Sequence, residues 1–303
     1  MKSLPIPAQF AQTTIDLHGS AGADWLENLP ALIADCEKRW GLTVKRPFPN
    51  LSYNFAATAV RADGSEVVLK MGVVNPELLT EIEALRLYDG RGIVRLLDAD
   101  PAQGVLLLER LRPGTPLVTV DNDEAATAVA AQVMQKLWRP APADHPFPTV
   151  EKWAQGMMKL RREFDGGTGP FPKKLVETAE YLFADLLPTQ AKPILLHGDL
   201  HHWNILCAQR APWLALDPKG VVGEPAYEIG AWLRNPIDRL LTWPDLKRIQ
   251  ARRIDQFVET LGFERERIVG WGIAQAVLSA WWSFEDGWRV GQAALACAES
   301  LLG

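Results

Sequence analysis

The stretch HGDLHHWNILCAQRAPWLALDPKG, residues 197–220, brings the carboxylates of Asp199 and Asp217 and the amide of Asn204 within a short length of chain. Its two apolar runs are separated by the turn-prone segment AQRAP, a pattern that predicts a β-hairpin. Because antiparallel strands run past each other, Asn204 before the first strand is expected beside Asp217 after the second. Asp199 is then one loop away. Carboxylate and amide oxygens suit Mg²⁺, so the stretch predicts a magnesium site next to a spare carboxylate.

This combination of groups is suited to the transfer of a phosphoryl group. Asn204 and Asp217 would hold the metal that clamps the donor phosphates, while Asp199 would accept the proton of an attacking hydroxyl. The reaction also needs a cationic side chain on the donor phosphates. The sequence therefore has to supply a lysine or arginine from another segment.

Lys70 is the candidate for that cation. It follows the apolar run VVL on a predicted strand, where a lysine is unusual. The helix that comes next offers Glu81 or Glu83 as its ion-pair partner, and Glu81 is preferred because it precedes Leu85 by one helical turn. The alternative reading is a strand-end lysine whose side chain reaches solvent.

The composition is that of an ordinary globular protein. The 303 residues, 48% of them hydrophobic and 23% charged, are enough for two domains. No apolar run approaches the length of a membrane span, and MKSLP at the N-terminus does not begin a signal-peptide core. We therefore expect no membrane association and a cytoplasmic location.

The net charge narrows the class of partner, and the cysteine content argues against two kinds of structural site. The formal charge of −5 disfavours nucleic acid and modestly favours a cationic small molecule. The 3 cysteines are odd in number and far apart, which argues against a disulfide framework and against a Cys-ligated zinc site.

Hydrophobic periodicity divides the chain into a β-rich first third and a helical remainder. Strands are predicted at 42–47, 55–61, 66–71, 93–97 and 105–111, with helices at 24–40 and from Asn75, as N-cap, to 89–90. Further helices are predicted at 121–138, 149–164, 172–187, 226–233, 245–261, 265–284 and 290–302. The segment RPG at 112–114 breaks the pattern, so the predicted domains are 1–111 and 112–303, in an α+β fold.

The motifs resemble those of a known family. HGDxxxxN at 197–204 followed by Asp217 resembles the catalytic and metal-binding segments of the aminoglycoside phosphotransferase family. VGEPAYE at 222–228 and DGRGIVRLL at 89–97 are similar to its streptomycin 6-phosphotransferase and hydroxyurea phosphotransferase branch. The resemblance covers about residues 50–290. It implies a bilobal protein-kinase-like fold with a small β-rich N-lobe, preceded by an added helix, and a larger helical C-lobe.

The resemblance also implies an activity. The protein would be an ATP- and Mg²⁺-dependent O-phosphotransferase acting on a hydroxyl of a small molecule, an aminocyclitol antibiotic such as streptomycin, or hydroxyurea. Asp199 would be the catalytic base, Asn204 and Asp217 the Mg²⁺ ligands, and Lys70 with Glu81 the pair that orients the phosphates.

Further nucleotide contacts follow from the same resemblance. Backbone groups of Glu109 and Leu111 would hydrogen-bond adenine. The loop that covers the phosphates is expected near residues 50–54, which contain no glycine to let the backbone approach closely. Ser52 and the local backbone amides are expected to take the place of glycine there.

The acceptor is expected to contact residues after position 220. Glu224, Glu228 and Asp286 are the candidate carboxylates, with Glu285 beside the last of them. A tryptophan group at positions 271, 281, 282 and 288 is near Asp286 in the sequence. A streptomycin-like acceptor carries guanidinium groups, which both carboxylates and indole faces bind. The structural alternative is that the tryptophans form core and that Glu228 caps a helix.

Two other functions remain open at this point. His197, His201 and His202 have a spacing that a zinc or di-metal hydrolase could use. A kinase-like regulator that binds nucleotide without activity is the second alternative, and the glycine-poor segment at 50–54 is its support.

Overall fold

The computed structural model describes residues 6–287 and 289–302. The chain divides into two compact units, one ending at Gly114 and the other beginning at Thr115, whereas the sequence analysis placed the boundary after Leu111. Residues 1–5, on which the signal-peptide prediction rested, and Trp288 lie outside the described residues.

In the residues that the structure describes, the first unit is an antiparallel sheet with three helices. The strands are β1 (Leu42–Pro47), β2 (Phe55–Arg61), β3 (Glu66–Met71), β4 (Leu96–Asp100) and β5 (Val105–Glu109), and their order in the sheet is β1-β2-β3-β5-β4. The helices are α1 (Ala8–His18), α2 (Ser20–Trp40) and α3 (Pro76–Tyr88). Strand β6 (Pro113–Pro116) runs across the division between the two units.

Alternation along β2 explains how this sheet builds its core. Phe55, Ala57 and Ala59 are buried, and they belong to one cluster with Leu29 and Ile33 of α2. Each large apolar side chain in such a cluster contributes about 1.5–3 kcal/mol relative to an exposed position. The helical prediction for 24–40 therefore holds, although α2 begins earlier and continues through Pro30.

In this unit one helix was missed and one strand boundary was wrong. Helix α1, on which Phe10 and Thr14 are buried, was not predicted. Strand β4 begins at Leu96 rather than at residue 93. The run at 93–94 is apolar because it is buried, and burial alone does not distinguish a strand from a buried loop.

Helix α3 has the sequence signals of its two ends. The side chain of Asn75 accepts a hydrogen bond from Leu78 N at 3.0 Å, and Pro76 occupies the first turn. The helix ends at Asp89, which is left-handed. Glu81 and Ile82 are both buried on this helix. A carboxylate is therefore held inside the unit, where it requires a partner.

The second unit is mainly helical. Its helices are α4 (Asp123–Leu137), α5 (Val150–Glu163), α6 (Lys173–Leu186), α7 (Ile229–Leu233), α8 (Leu246–Leu261), α9 (Arg265–Gly287) and α10 (Gln292–Leu301). Its short strands are β7 (Ile194–Leu196), β8 (Ile205–Ala208), β9 (Trp213–Ala215) and β10 (Val221–Gly223). Each predicted helix is present within a few residues, except that 225–228 forms a 3₁₀ turn before α7.

The short strands lie within and on either side of residues 197–220. Strands β7 and β10 pair antiparallel, and β8 pairs with β9 as the predicted hairpin. Residues 197–204 connect β7 to β8. In the described part of the chain, none of the helices combines the length and the apolar character needed to span a membrane.

Candidate active site

Lys70 and Glu81 form a buried ion pair in the first unit. Lys70 Nζ donates to Glu81 Oε1 at 2.6 Å and to Oε2 at 2.7 Å, and the two side chains are only 11% and 6% exposed. Glu83, the other candidate, pairs with Arg86 on the helix surface instead. Removing two charges from water costs several kcal/mol per ion, so a buried pair is weak support for stability. The pair therefore fixes the position of the Lys70 ammonium group inside the first unit.

The other residues predicted to contact nucleotide also lie in the first unit. Ser52 is exposed in the bend between β1 and β2. Glu109 ends β5, where its N–H donates to Arg95 O at 3.0 Å and its Oε1 accepts from Arg95 N at 2.9 Å. Leu111 follows and is buried. The N–H and one side-chain oxygen of Glu109 are therefore engaged within the unit.

Asp199 is at the centre of a charged group in the second unit. Arg234 Nη2 donates to Asp199 Oδ1 at 2.6 Å, and His201 Nε2 lies 3.5 Å from Asp199 Oδ2. Burial raises the pKa of the Asp199 carboxyl, but His201 and Arg234 lower it, and the net pKa lies well below the usual value. Asp199 is therefore an ionised carboxylate held in a defined orientation.

Sequence reasoning missed Arg234. It lies 35 residues after Asp199 and directly follows Leu233, the last residue of α7. Its side chain is mostly buried, at 10% exposed. The sequence signal that could have identified it is an arginine directly after the apolar run AWL, because arginine is rarely buried without a partner.

We expect Arg234→Met to lower kcat by about 10- to 100-fold, because misplacing a reacting group by about 1 Å costs about that much. The KM for ATP should change little, since Arg234 acts through Asp199. Arg234→Lys keeps the charge and should recover part of the loss. Steady-state kinetics of the folded variants test this, and an unchanged kcat for Arg234→Met would rule out the positioning role.

His197 braces the same loop from inside. Its Nε2 lies 2.8 Å from Leu216 O, so this nitrogen must carry a proton and donate it, while Nδ1 accepts from Asp199 N at 3.3 Å. Burial lowers the pKa of His197 from 6.5 to about 4. The ring is therefore neutral, and both of its nitrogens are used by the backbone.

This neutral histidine predicts a loss of stability in acid. Between pH 6.5 and about 4 the unfolded chain binds a proton at position 197 that the folded protein does not, so stability falls as pH decreases through this window. The contribution is about 2 kcal/mol between pH 7 and pH 5. Urea unfolding of wild type and His197→Gln should show the free-energy difference between them shrinking by that amount, whereas a constant difference would contradict a neutral buried ring.

Glu228 is a structural residue of the loop rather than an exposed acceptor ligand. It is fully buried, and its two carboxylate oxygens accept from His197 N at 2.7 Å and from Gly198 N at 2.9 Å. Burial raises its pKa to about 7, against the lowering effect of these hydrogen bonds. The prediction that Glu228 binds the acceptor is therefore not retained.

Glu224 is likewise occupied by the protein itself. It is 1% exposed, accepts from Arg267 Nε at 2.6 Å and from Ala191 N at 2.9 Å, and accepts from the Trp271 indole. These contacts tie α9 to the segment before β7. Glu224 thus has a structural role, and acceptor binding is not assigned to it either.

Asn204 and Asp217 come together through the hairpin. The pairing of Ile205 with Ala215 continues with Leu216 N donating to Asn204 O at 3.0 Å, so Asp217 is one residue beyond the position opposite Asn204. The turn that follows Asp217 is held to the loop, because the N–H groups of Lys219 and Gly220 both donate to His197 O.

The donor atoms at these two residues fit a hard cation. Asn204 Nδ2 donates to Asp199 O at 3.0 Å, which leaves Oδ1 as the amide atom suited to a metal. Asp217 is held at φ 62°, a left-handed conformation that is uncommon outside glycine and that often occurs at functional sites. One amide and one carboxylate oxygen suit Mg²⁺, which is usually held by few protein groups.

The histidines are not arranged as a zinc site. His197 is engaged by the backbone, as described above, and the ring of His202 stacks on Trp232 with centroids 3.6 Å apart. His202 Nε2 lies 3.3 Å from Arg253 Nη2. Since these rings are committed to different neighbours, the hydrolase alternative is not favoured.

The end of α9 contains the remaining acceptor candidates. Glu285 lies 3.7 Å from Lys159, and Asp286 is exposed in the last turn of the helix. Trp281 is buried and packs against Phe164, Phe171 and Phe284, which makes it core. Trp271 is also buried.

Comparison with known proteins adds to this geometry. The family model described as aminoglycoside/hydroxyurea antibiotic resistance kinase matches residues 42–287. A streptomycin 6-kinase from Streptomyces glaucescens is 32% identical over 304 residues, which cover 100% of this chain and 98% of the relative. A hydroxyurea phosphotransferase from Kitasatospora aureofaciens is 34% identical over 312 residues, covering 98% of this chain and 86% of the relative.

Solved structures share the fold at lower identity. An aminoglycoside phosphotransferase in ternary complex with ADP and hygromycin B matches with a TM-score of 0.60 and 15% identity, over 90% of this chain and 99% of the other. The choline kinase LicA from Streptococcus pneumoniae matches with a TM-score of 0.61 and 11% identity, over 91% and 98%. This likeness concerns the fold alone, and it confirms the α+β protein-kinase-like class. Taken with the full-length relatives, it shows that the chain belongs to the aminoglycoside/hydroxyurea antibiotic resistance kinase family.

Proposed function

We propose that this kinase uses Mg²⁺ and ATP to phosphorylate a hydroxyl group of a small cationic molecule, an aminocyclitol antibiotic such as streptomycin. One observation carries the proposal. Arg234 holds the Asp199 side chain as a carboxylate, and the backbone carbonyl of Asp199 accepts a hydrogen bond from the Asn204 side chain. Across the hairpin, Asn204 is bonded to Leu216, and Asp217 is the next residue. A carboxylate base beside two oxygen ligands is what transfer of phosphate to a hydroxyl requires.

The roles of the side chains follow from their chemistry. Asp199 orients the acceptor hydroxyl and receives its proton, while Arg234 keeps the carboxylate in place. Asn204 and Asp217 would hold Mg²⁺, which when bound neutralises charge on the donor phosphates. Lys70, itself held by Glu81, would orient those phosphates. Ser52 and the backbone at Glu109 and Leu111 would complete the nucleotide contacts, so that residues 1–111 serve the nucleotide and 112–303 catalysis and the acceptor.

The choice of acceptor rests on the relatives. Streptomycin is the first candidate because a streptomycin 6-kinase matches the whole chain. Hydroxyurea is the second, because a hydroxyurea phosphotransferase is 34% identical. The net charge of −5 favours a cationic acceptor and therefore streptomycin over neutral hydroxyurea. We place the reaction in the cytoplasm, where ATP is available.

A measurement of ADP release with Mg-ATP tests the proposal. The acceptors to compare are streptomycin, hydroxyurea, other aminoglycosides and small polyols, each also assayed without enzyme. We expect acceptor-dependent ADP release with streptomycin and a product one phosphate heavier by mass spectrometry. ATP binding without turnover of any acceptor would contradict the proposal and favour the inactive regulator.

A further inference from the structure

Two tryptophans from different helices form an edge-to-face pair in the second unit. Trp153 of α5 and Trp282 of α9 have ring centroids 5.3 Å apart and an interplanar angle of 83°. Both residues are half-buried, so part of each indole remains accessible. By contrast, the adjacent Trp281 is 3% exposed and belongs to the core. The pair therefore presents aromatic surface that the core does not use.

The pair lies directly beside the loop that contains Asp199. Gly198, the residue before Asp199, has φ 84°, and a Cβ atom built on it would lie 2.9 Å from Cη2 of Trp153. The edge of the Trp153 ring is thus in contact with the backbone of the loop.

Two carboxylates follow Trp282 on α9. Glu285 and Asp286 come three and four residues after Trp282, a spacing that puts them on the same face of α9. Glu285 lies 3.7 Å from Lys159, and the side chains of Lys159 and Glu285 are 60% and 32% exposed. The Trp282 indole and the two carboxylates on one face of α9, together with Trp153 beside the loop that contains Asp199, form a surface suited to an organic cation.

We propose that Trp153, Trp282 and Asp286 form the acceptor platform, which binds a guanidinium or amino substituent of the acceptor and so presents its hydroxyl to Asp199. This inference rests on the proposed function and specifies its substrate class. The indole faces bind the cation and its flat apolar surroundings, and Asp286 supplies opposite charge. In this proposal, residues of α5 and α9 determine specificity for the acceptor, and Glu224 and Glu228 do not.

Binding of streptomycin, measured by isothermal titration calorimetry, tests the platform without requiring turnover. Trp282→Leu keeps apolar volume but removes the aromatic face, and we expect the Kd for streptomycin to rise about tenfold. Trp282→Phe, which restores a smaller ring, should recover part of the affinity. Asp286→Asn, at an exposed position, should weaken binding about threefold to tenfold, and only variants that remain folded are compared.

Matched controls separate the platform from general effects. Tyr181→Leu removes another aromatic ring, 67% exposed on α6, and should leave the Kd for streptomycin unchanged. The Kd for ATP should be the same in all variants. A Kd for streptomycin that stays within twofold of wild type in both Trp282→Leu and Asp286→Asn would overturn the inference, and so would a wild type that does not bind streptomycin. Streptomycin binding without ADP release would contradict the proposed function and leave the platform standing.

Discussion

Asp199→Asn is expected to lower kcat by roughly 10²- to 10⁴-fold, the usual contribution of a general base. Asparagine has nearly the same shape, so Arg234 and His201 keep a neighbour of the same size, but the amide cannot accept the hydroxyl proton. The Kd for Mg-ATP should change by less than about threefold, because the base faces the acceptor rather than the donor phosphates. Single-turnover kinetics together with nucleotide binding measure the two effects separately.

The matched control for this variant is Asp185→Asn, an exposed carboxylate on α6 in the same unit. It changes the net charge by the same amount and should leave kcat unaffected. If Asp199→Asn lost nucleotide binding along with turnover, Asp199 would be a metal ligand or a structural residue. If it kept wild-type turnover, another group would have to serve as the base.

Asp217→Asn is expected to have the second largest effect. A metal ion supplies several kcal/mol of charge stabilisation in such reactions, so we expect kcat at low Mg²⁺ to fall by roughly 10²- to 10³-fold. Asparagine tolerates the left-handed backbone that Asp217 adopts at φ 62°, so this variant removes charge without adding backbone strain. Because the variant weakens binding of the metal, the loss in kcat should be smaller at high Mg²⁺ concentration.

A titration of activity with Mg²⁺ at saturating ATP tests the second prediction. The concentration that gives half-maximal activity should rise at least tenfold for Asp217→Asn and stay unchanged for Asp185→Asn. Nucleotide binding in the presence of a chelator should be equal for wild type and Asp217→Asn. An unchanged magnesium requirement, with a lowered kcat, would show that Asp217 acts in some way other than ligating the metal.

Local chemistry accounts for most of what could be predicted about the fold. The Asn75 cap and Pro76 set the start of α3, and the turn between two apolar runs predicted the hairpin of β8 and β9. Such signals depend on neighbouring residues and on the periods of helix and strand, which a sequence displays directly. Where burial came without periodicity, at residues 93–94, the assignment was wrong.

The same holds for the candidate site, where relations between residues close in the sequence could be predicted. The spacing of Asp199, Asn204 and Asp217 on one loop and one hairpin was enough to predict a carboxylate beside two oxygen ligands. The ion pair of Lys70 with Glu81 followed from a lysine at the end of an apolar strand and a helix placed after it. These relations span one supersecondary unit each, so the chain's local geometry decides them.

Contacts across long stretches of sequence decided the rest. Arg234 reaches Asp199, and Glu228 reaches the backbone of residues 197–198, from elements about thirty residues away. The sequence does not show whether a carboxylate will contact solvent, a ligand or buried N–H groups. The packing of the fold decides which of these it contacts, because a charge that is removed from water must be paired or hydrogen-bonded. The sequence by itself therefore predicted the reaction and the candidate residues for it, because those residues lie close together along the chain. The tertiary structure alone decided that Glu224 and Glu228 are engaged inside the protein and that Arg234 holds the carboxylate of Asp199.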